Sequence, residues 1–196
     1  CNKIIRLNSI ELRYHYGPVC IAKGIMHGNT KSEGMETGKN TKGIGITVIM
    51  LRVKGIHAVS KEIERIVIAG DSSGGGMALV LSQLIRDNYP ELLRPDDLIL
   101  IAPWMDVSMD NEHICEYESV DPMLDIYGTK EIGEMWAGEL DTHDPLVSPI
   151  YGTFENLGYM TIFVGTRDIL CPDCLSFSEL LNEKGIEHTF VLKEGL

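Results

Sequence analysis

The sequence predicts an α/β fold, a mostly parallel sheet with helices on both faces. Three observations carry that reading. Short stretches of strand character recur at 65–69, 98–102, 160–165 and 187–193. Helical patterns fall between them, at 74–87, around 130–140, and from Pro172 to Gly185. The 196 residues are 44% hydrophobic and 23% charged, the balance of a globular domain large enough to bury a core. Strand and helix in alternation imply right-handed crossovers between parallel strands.

The elements are justified in chain order. Residues 1–60 read as an atypical N-terminal segment. Gly, Asn, Thr and Lys crowd 27–45 without a period, which predicts a loop or poorly ordered stretch. The run "ITVIMLRV" at 46–53 suits a strand or a piece of buried helix, and periodicity does not decide between them. Residues 61–196 form the legible domain. "RIVIA" at 65–69 is a buried strand, and 74–87 is a helix apolar on most faces, hence buried. "LILIA" at 98–102 is a second strand, closed by Pro103. Ile132, Met135, Trp136 and Leu140 share helical spacing inside 109–150. "MTIFVG" at 160–165 is a third strand. Pro172 then opens a helix that Gly185 closes, and 187–193 is the last strand.

Charge and cysteine content exclude several classes. The net charge of -12 disfavours nucleic acid and anionic membrane surfaces as partners. Its distribution is uneven: residues 1–60 hold nine Lys/Arg and three Asp/Glu, whereas 61–196 hold eight and twenty-six. No apolar run reaches the length of a membrane span, and no signal-peptide pattern is present. Five cysteines, an odd number, point to a reducing cytoplasm rather than a disulfide framework. The opening on Cys1 and the ending in strand-like text lead us to expect a fragment at both ends.

Gly70-Asp71-Ser72-Ser73-Gly74 fits G-x-S-x-G with Ser72 at its centre; Ser73 would need glycine where Asp71 stands. A strand that turns sharply into a helix raises a serine hydroxyl above the sheet edge, and small neighbours let the chain pass itself closely. The free N–H groups of the helix start, that of Ser73 first, would face an oxyanion formed there. Ordinary Gly-Ser turns are the bland alternative; the position between buried strand and buried helix argues against it. Gly70, Gly74 and Gly76 also suit the dinucleotide loop of a short-chain dehydrogenase binding NAD. That chemistry needs Tyr-x-x-x-Lys, which none of the seven tyrosines supplies; Tyr127 has Lys130 at three residues.

Active groups in such sheets gather beyond the carboxyl ends of strands. Asp168 stands three residues past Gly165, as Ser72 stands three past Ala69. A carboxylate there can hold a histidine in the required tautomer. Asp106, four residues past Ala102, competes as the acid, with a loop turn or a supporting hydrogen bond as its bland role. His188, the one histidine after Asp168, falls at the wrong end of its strand. The catalytic histidine is therefore expected just beyond Leu196. Cys171-Pro172-Asp173-Cys174 is a C-x-x-C pair without further metal ligands at suitable spacing, and reads as helix start and core rather than redox pair. "EYESVD" reads as solvated surface.

"GDSSGGG", "APWMDVS", "DPML", "DPLVSPIYG" and "GTRDILCPDCLSFSELLNEKGI", in that order, closely resemble the hormone-sensitive-lipase-like branch of α/β-hydrolases over residues 61–196. The resemblance implies the α/β-hydrolase fold, Ser72 as nucleophile, Asp168 as triad acid, "EGL" leading to the histidine, and hydrolysis of carboxylic esters, often of short acyl chains. It implies no metal or organic cofactor, and it makes 109–150 part of a helical cap. The family's His-Gly-Gly-Gly oxyanion segment is missing; His27-Gly28 is too short a match and too near the elbow. A truncated, inactive hydrolase fold is the alternative. The acyl preference and oligomeric state are not set by the sequence.

Overall fold

The computed structural model describes residues 65–196 throughout and, before them, three strands: β1 (Lys3–Arg6), β2 (Ile10–Tyr14) and β3 (Val19–Gly24). The 27–45 stretch with its His27-Gly28 pair and the 46–53 run lie outside the described residues. The remaining elements are β4 (Val67–Asp71), α1 (Ser73–Asn88), β5 (Asp97–Ile101), the short α2 (Ile114–Tyr117), α3 (Ile126–Ala137), β6 (Tyr159–Gly165), α4 (Cys171–Glu183) and β7 (His188–Lys193). They form a seven-stranded sheet in chain order, antiparallel from β1 to β3 and parallel from β3 to β7. The antiparallel end comes from residues to which the sequence reading assigned no element, although β2 alternates as Ile10-Glu11-Leu12-Arg13-Tyr14.

Strand registry sets the active rim. Asp71 pairs with Ile101, Ile101 with Phe163, and Gly165 with Lys193, so the parallel strands end together on one side. β4 begins two residues later than the apolar run suggests. Arg65 instead pairs with Asp97 at 2.6 Å, and the Ile66 N–H donates to Asp96 Oδ2 at 2.6 Å.

One sheet face carries the core. Ile68, Leu98, Leu100, Met160, Ile162 and Val164 alternate along their strands and pack against α1 and α4. From α1 come Ala78 and Leu79; from α4 come Cys174, Phe177 and Leu181, on the face that Pro172 and Gly185 delimit. Each fully buried side chain of this size stabilises the fold by about 1.5–3 kcal/mol. Phe154 meets Phe177 edge-to-face, centroids 4.8 Å apart.

Helix α3 departs from the sequence reading in the face it buries. Asp125 caps it, Oδ1 accepting the Gly128 N–H at 2.7 Å, and Gly138 at φ 64° ends it. Its buried stripe is Thr129, Gly133 and Ala137, whereas Ile132, Met135 and Trp136 are exposed. A methyl group on Gly133 would overlap the Val107 carbonyl, so backbone contact, not apolar spacing, chose the face.

Candidate active site

Ser72 sits between β4 and α1 with φ 56° and ψ -123°, a conformation that costs a serine about 1–3 kcal/mol. The surroundings enforce it. The Ser72 N–H donates to Ile101 O at 2.9 Å, and Ser72 O accepts from Gly75 N and Trp104 N, each at 2.9 Å. A Cβ on Gly70 would overlap the Gly74 carbonyl, which is why the corner needs glycine at that crossing. Ser73 occupies the first helical position, so its N–H has no preceding turn to bond and is available at the positive end of α1.

Asp168 stands just past β6, one strand removed from β4, on the same rim. Its Oδ1 accepts the Leu170 N–H at 2.8 Å, and its carbonyl accepts Cys171 N at 2.9 Å. Burial pushes its pKa up; the Leu170 N–H opposes this, and the charges of Asp121 and Asp71 add to the rise. Asp71 immediately precedes Ser72, on the rim where β4, β5 and β6 end. The loop is tied to the end of the chain as well. Arg167 N donates to Leu196 O at 2.6 Å and Gly195 N to Thr166 Oγ1 at 3.0 Å, which puts Leu196 one residue from Asp168.

The competing groups are engaged elsewhere. Asp106 is buried, with Oδ1 accepting Ser108 N at 2.8 Å and Ser108 Oγ at 2.6 Å, and Oδ2 accepting the Tyr151 hydroxyl at 2.7 Å. Burial, and then that bond, pushes the Tyr151 phenol up to about 12. His188 pairs with Met160 at the start of β6, its Nε2 on Ser178 Oγ at 2.8 Å and its Nδ1 on Ile186 O at 3.0 Å. An open depression of about 420 Å³ beside it, lined by Tyr159, Asn182 and Ile186, lies at that far end of the sheet. His143 and His113 pair with Asp110 and Glu116 within residues 109–150. Cys171 and Cys174 are fully buried, and burial raises both thiol pKa values, the opposite of what thiol exchange needs. Tyr127 is exposed, and Lys130 binds Asp110 at 3.0 Å.

Two carboxylates escaped the sequence reading. Asp173, at the start of α4, is 2% exposed; Oδ1 accepts Asn111 Nδ2 at 2.9 Å, and Oδ2 has no partner among the described residues. Burial pushes its pKa up to about 6, against the Asn111 bond, with Asp106 adding to the rise. Asp121, the end of the "EYESVD" surface run, is not fully solvated: its Oδ2 accepts Ile169 N at 2.9 Å. The Asp-Pro step that follows it is a turn signal and the one local hint.

A strained serine between strand and helix, with a carboxylate past the next strand but one, defines a nucleophile-elbow α/β protein. A family profile described as the alpha/beta hydrolase fold matches residues 46–196, and the chain belongs to that family. A triacylglycerol lipase of Mycobacterium tuberculosis is 30% identical over 137 residues, 69% of this chain and 25% of the relative. An esterase of Acinetobacter venetianus is 30% identical over 132 residues, 67% of this chain and 43% of the relative. The chain thus spans less than half the length of these curated relatives. A solved esterase of the bacterial hormone-sensitive lipase family shares the fold at TM-score 0.69 and 22% identity, over 78% of this chain and 50% of its own. A solved homologue of hormone-sensitive lipase from a metagenome library is 26% identical at TM-score 0.60, over 66% of this chain and 44% of its own.

Proposed function

We propose that the protein is a serine carboxylesterase acting on small, short-acyl esters. The observation that carries this is the enforced backbone of Ser72 at the rim it shares with Asp168. Ser72 Oγ attacks the ester carbonyl as a histidine takes its proton, and Asp168 orients that histidine and stabilises its cationic form. The Ser73 N–H holds the tetrahedral oxyanion. Alcohol leaves, and water hydrolyses the acyl-enzyme. Leu196 lies beside Arg167, the neighbour of the acid Asp168. Segment 109–150 contributes the cap over the acyl site, within a domain comprising 61–196. We place the protein in the cytoplasm; no described helix is long and apolar enough to cross a membrane.

The test is hydrolysis of p-nitrophenyl esters of increasing acyl length by the protein expressed from its full reading frame. Ser72→Ala should abolish turnover, and Asp168→Asn should lower kcat by about 10⁴-fold with the fold intact. Equal activity of either variant and the unmodified protein would refute the assignment.

A further inference from the structure

The cap segment reaches the acid loop through one carboxylate. Asp121 Oδ1 accepts the N–H groups of Met123 and Leu124, each at 2.8 Å, closing an Asx turn over Pro122. A turn needs only that oxygen. Oδ2 points away from it and accepts the Ile169 N–H at 2.9 Å, forty-eight residues along the chain. On the other side of Asp168, Arg167 Nε donates to the Val120 carbonyl at 3.2 Å. Both sequence neighbours of Asp168 are therefore held by the adjacent pair Val120-Asp121.

This grip bears on the direction of the acid. Asp168 spends Oδ1 on the Leu170 N–H, so the orientation of its carboxylate follows the backbone of 169–170. Catalytic geometry has to be held to about 0.5 Å and 10–20°, and groups that do not touch substrate supply that hold. We propose that Asp121 is a positioning residue of the hydrolytic reaction, fixing the Asp168 carboxylate for the base through its bond to the Ile169 N–H. The role rests on the serine-hydrolase reading above. The charges of Asp121 and Asp71 act on Asp168, the Cys171 thiol feels the Asp168 charge, and Arg167 is its neighbour in sequence. The Asp121 charge raises the proton affinity of Asp168 and makes it a stronger acceptor for an imidazole N–H.

The experiment compares unmodified protein with Asp121→Ala, Asp121→Asn and Asp121→Glu, measuring ester turnover, Ile169 amide exchange and the titration of the ¹³C-labelled Asp168 carboxyl. In Asp121→Ala, kcat should fall by about 10- to 100-fold while KM stays within about two-fold. Asp121→Asn should speed Ile169 exchange and move the Asp168 midpoint to lower pH, because a like charge has gone. Asp121→Glu should recover part of the lost kcat. If Asp121→Ala does not fold, the isosteric Asp121→Asn decides by the same readouts. Unchanged kcat in an active protein, a loss borne by KM alone, or an unmoved Asp168 titration overturns this role and leaves the hydrolase reading standing. Absence of turnover by the unmodified protein overturns the hydrolase reading, and this role with it.

Discussion

At the scale of single residues, the backbone of Ser72 is the most informative feature. Its φ of 56° is held by Ile101 O on one side and by Gly75 and Trp104 on the other. Relief of strain of about 1–3 kcal/mol exceeds the roughly 0.5–1 kcal/mol of extra chain entropy a glycine loses on folding. Ser72→Gly should therefore be about 1 kcal/mol more stable to denaturant than Ser72→Ala; the reverse order would mean that the corner is unstrained. This corner was legible from sequence because its steric demand is local: Gly70 cannot carry a side chain against the Gly74 carbonyl. Asp121 was not legible, because its partner lies forty-eight residues away and a single surface carboxylate carries no period.

At the scale of elements, strands were easier to read than helix faces. β5, β6 and β7 start within one residue of the runs read from sequence, because short stretches rich in apolar and β-branched residues mark strands. β4 started later because Arg65 and Ile66 bond to Asp97 and Asp96 instead. In α3 the helix itself was evident, but its inward side was not. Ile132, Met135 and Trp136 are apolar yet exposed, while Thr129, Gly133 and Ala137 let the helix settle on the Val107 carbonyl. Small residues that permit close approach leave no hydrophobic signature. Gly133→Ala tests this contact. Helix propensity alone would favour it by about 1 kcal/mol, yet the overlap with Val107 should make it destabilising by more than about 2 kcal/mol in thermal or chemical unfolding. A stabilised variant would contradict the packing.

At the scale of the whole molecule, the α4 region meets the 109–150 segment through buried acid groups in a chain of net charge -12. Asp173 bonds to Asn111 from α4 with one oxygen unpaired among the described residues, and its pKa is raised by burial to about 6. A carboxyl raised in the folded state contributes stability that is complete below its ordinary range and is lost as pH rises through about 6. Asp173→Asn removes that loss. Its stability relative to the unmodified protein should be about 2 kcal/mol greater near pH 7.5 than near pH 4, by denaturant titration. A difference independent of pH would show that Asp173 ionises normally. The parallel arrangement that carries these groups was readable from the strand-helix alternation, whereas the antiparallel strands of residues 3–24 were missed, although Ile10-Glu11-Leu12-Arg13-Tyr14 alternates with the period of a strand.

The most direct measurement is site-resolved covalent labelling with a fluorophosphonate, read by peptide mass spectrometry on the protein expressed from its full reading frame. The account predicts one adduct, on the Ser72 hydroxyl, absent in Ser72→Ala and slowed in Asp168→Asn. An adduct on Ser73 or another serine, or no adduct in folded protein, would contradict it.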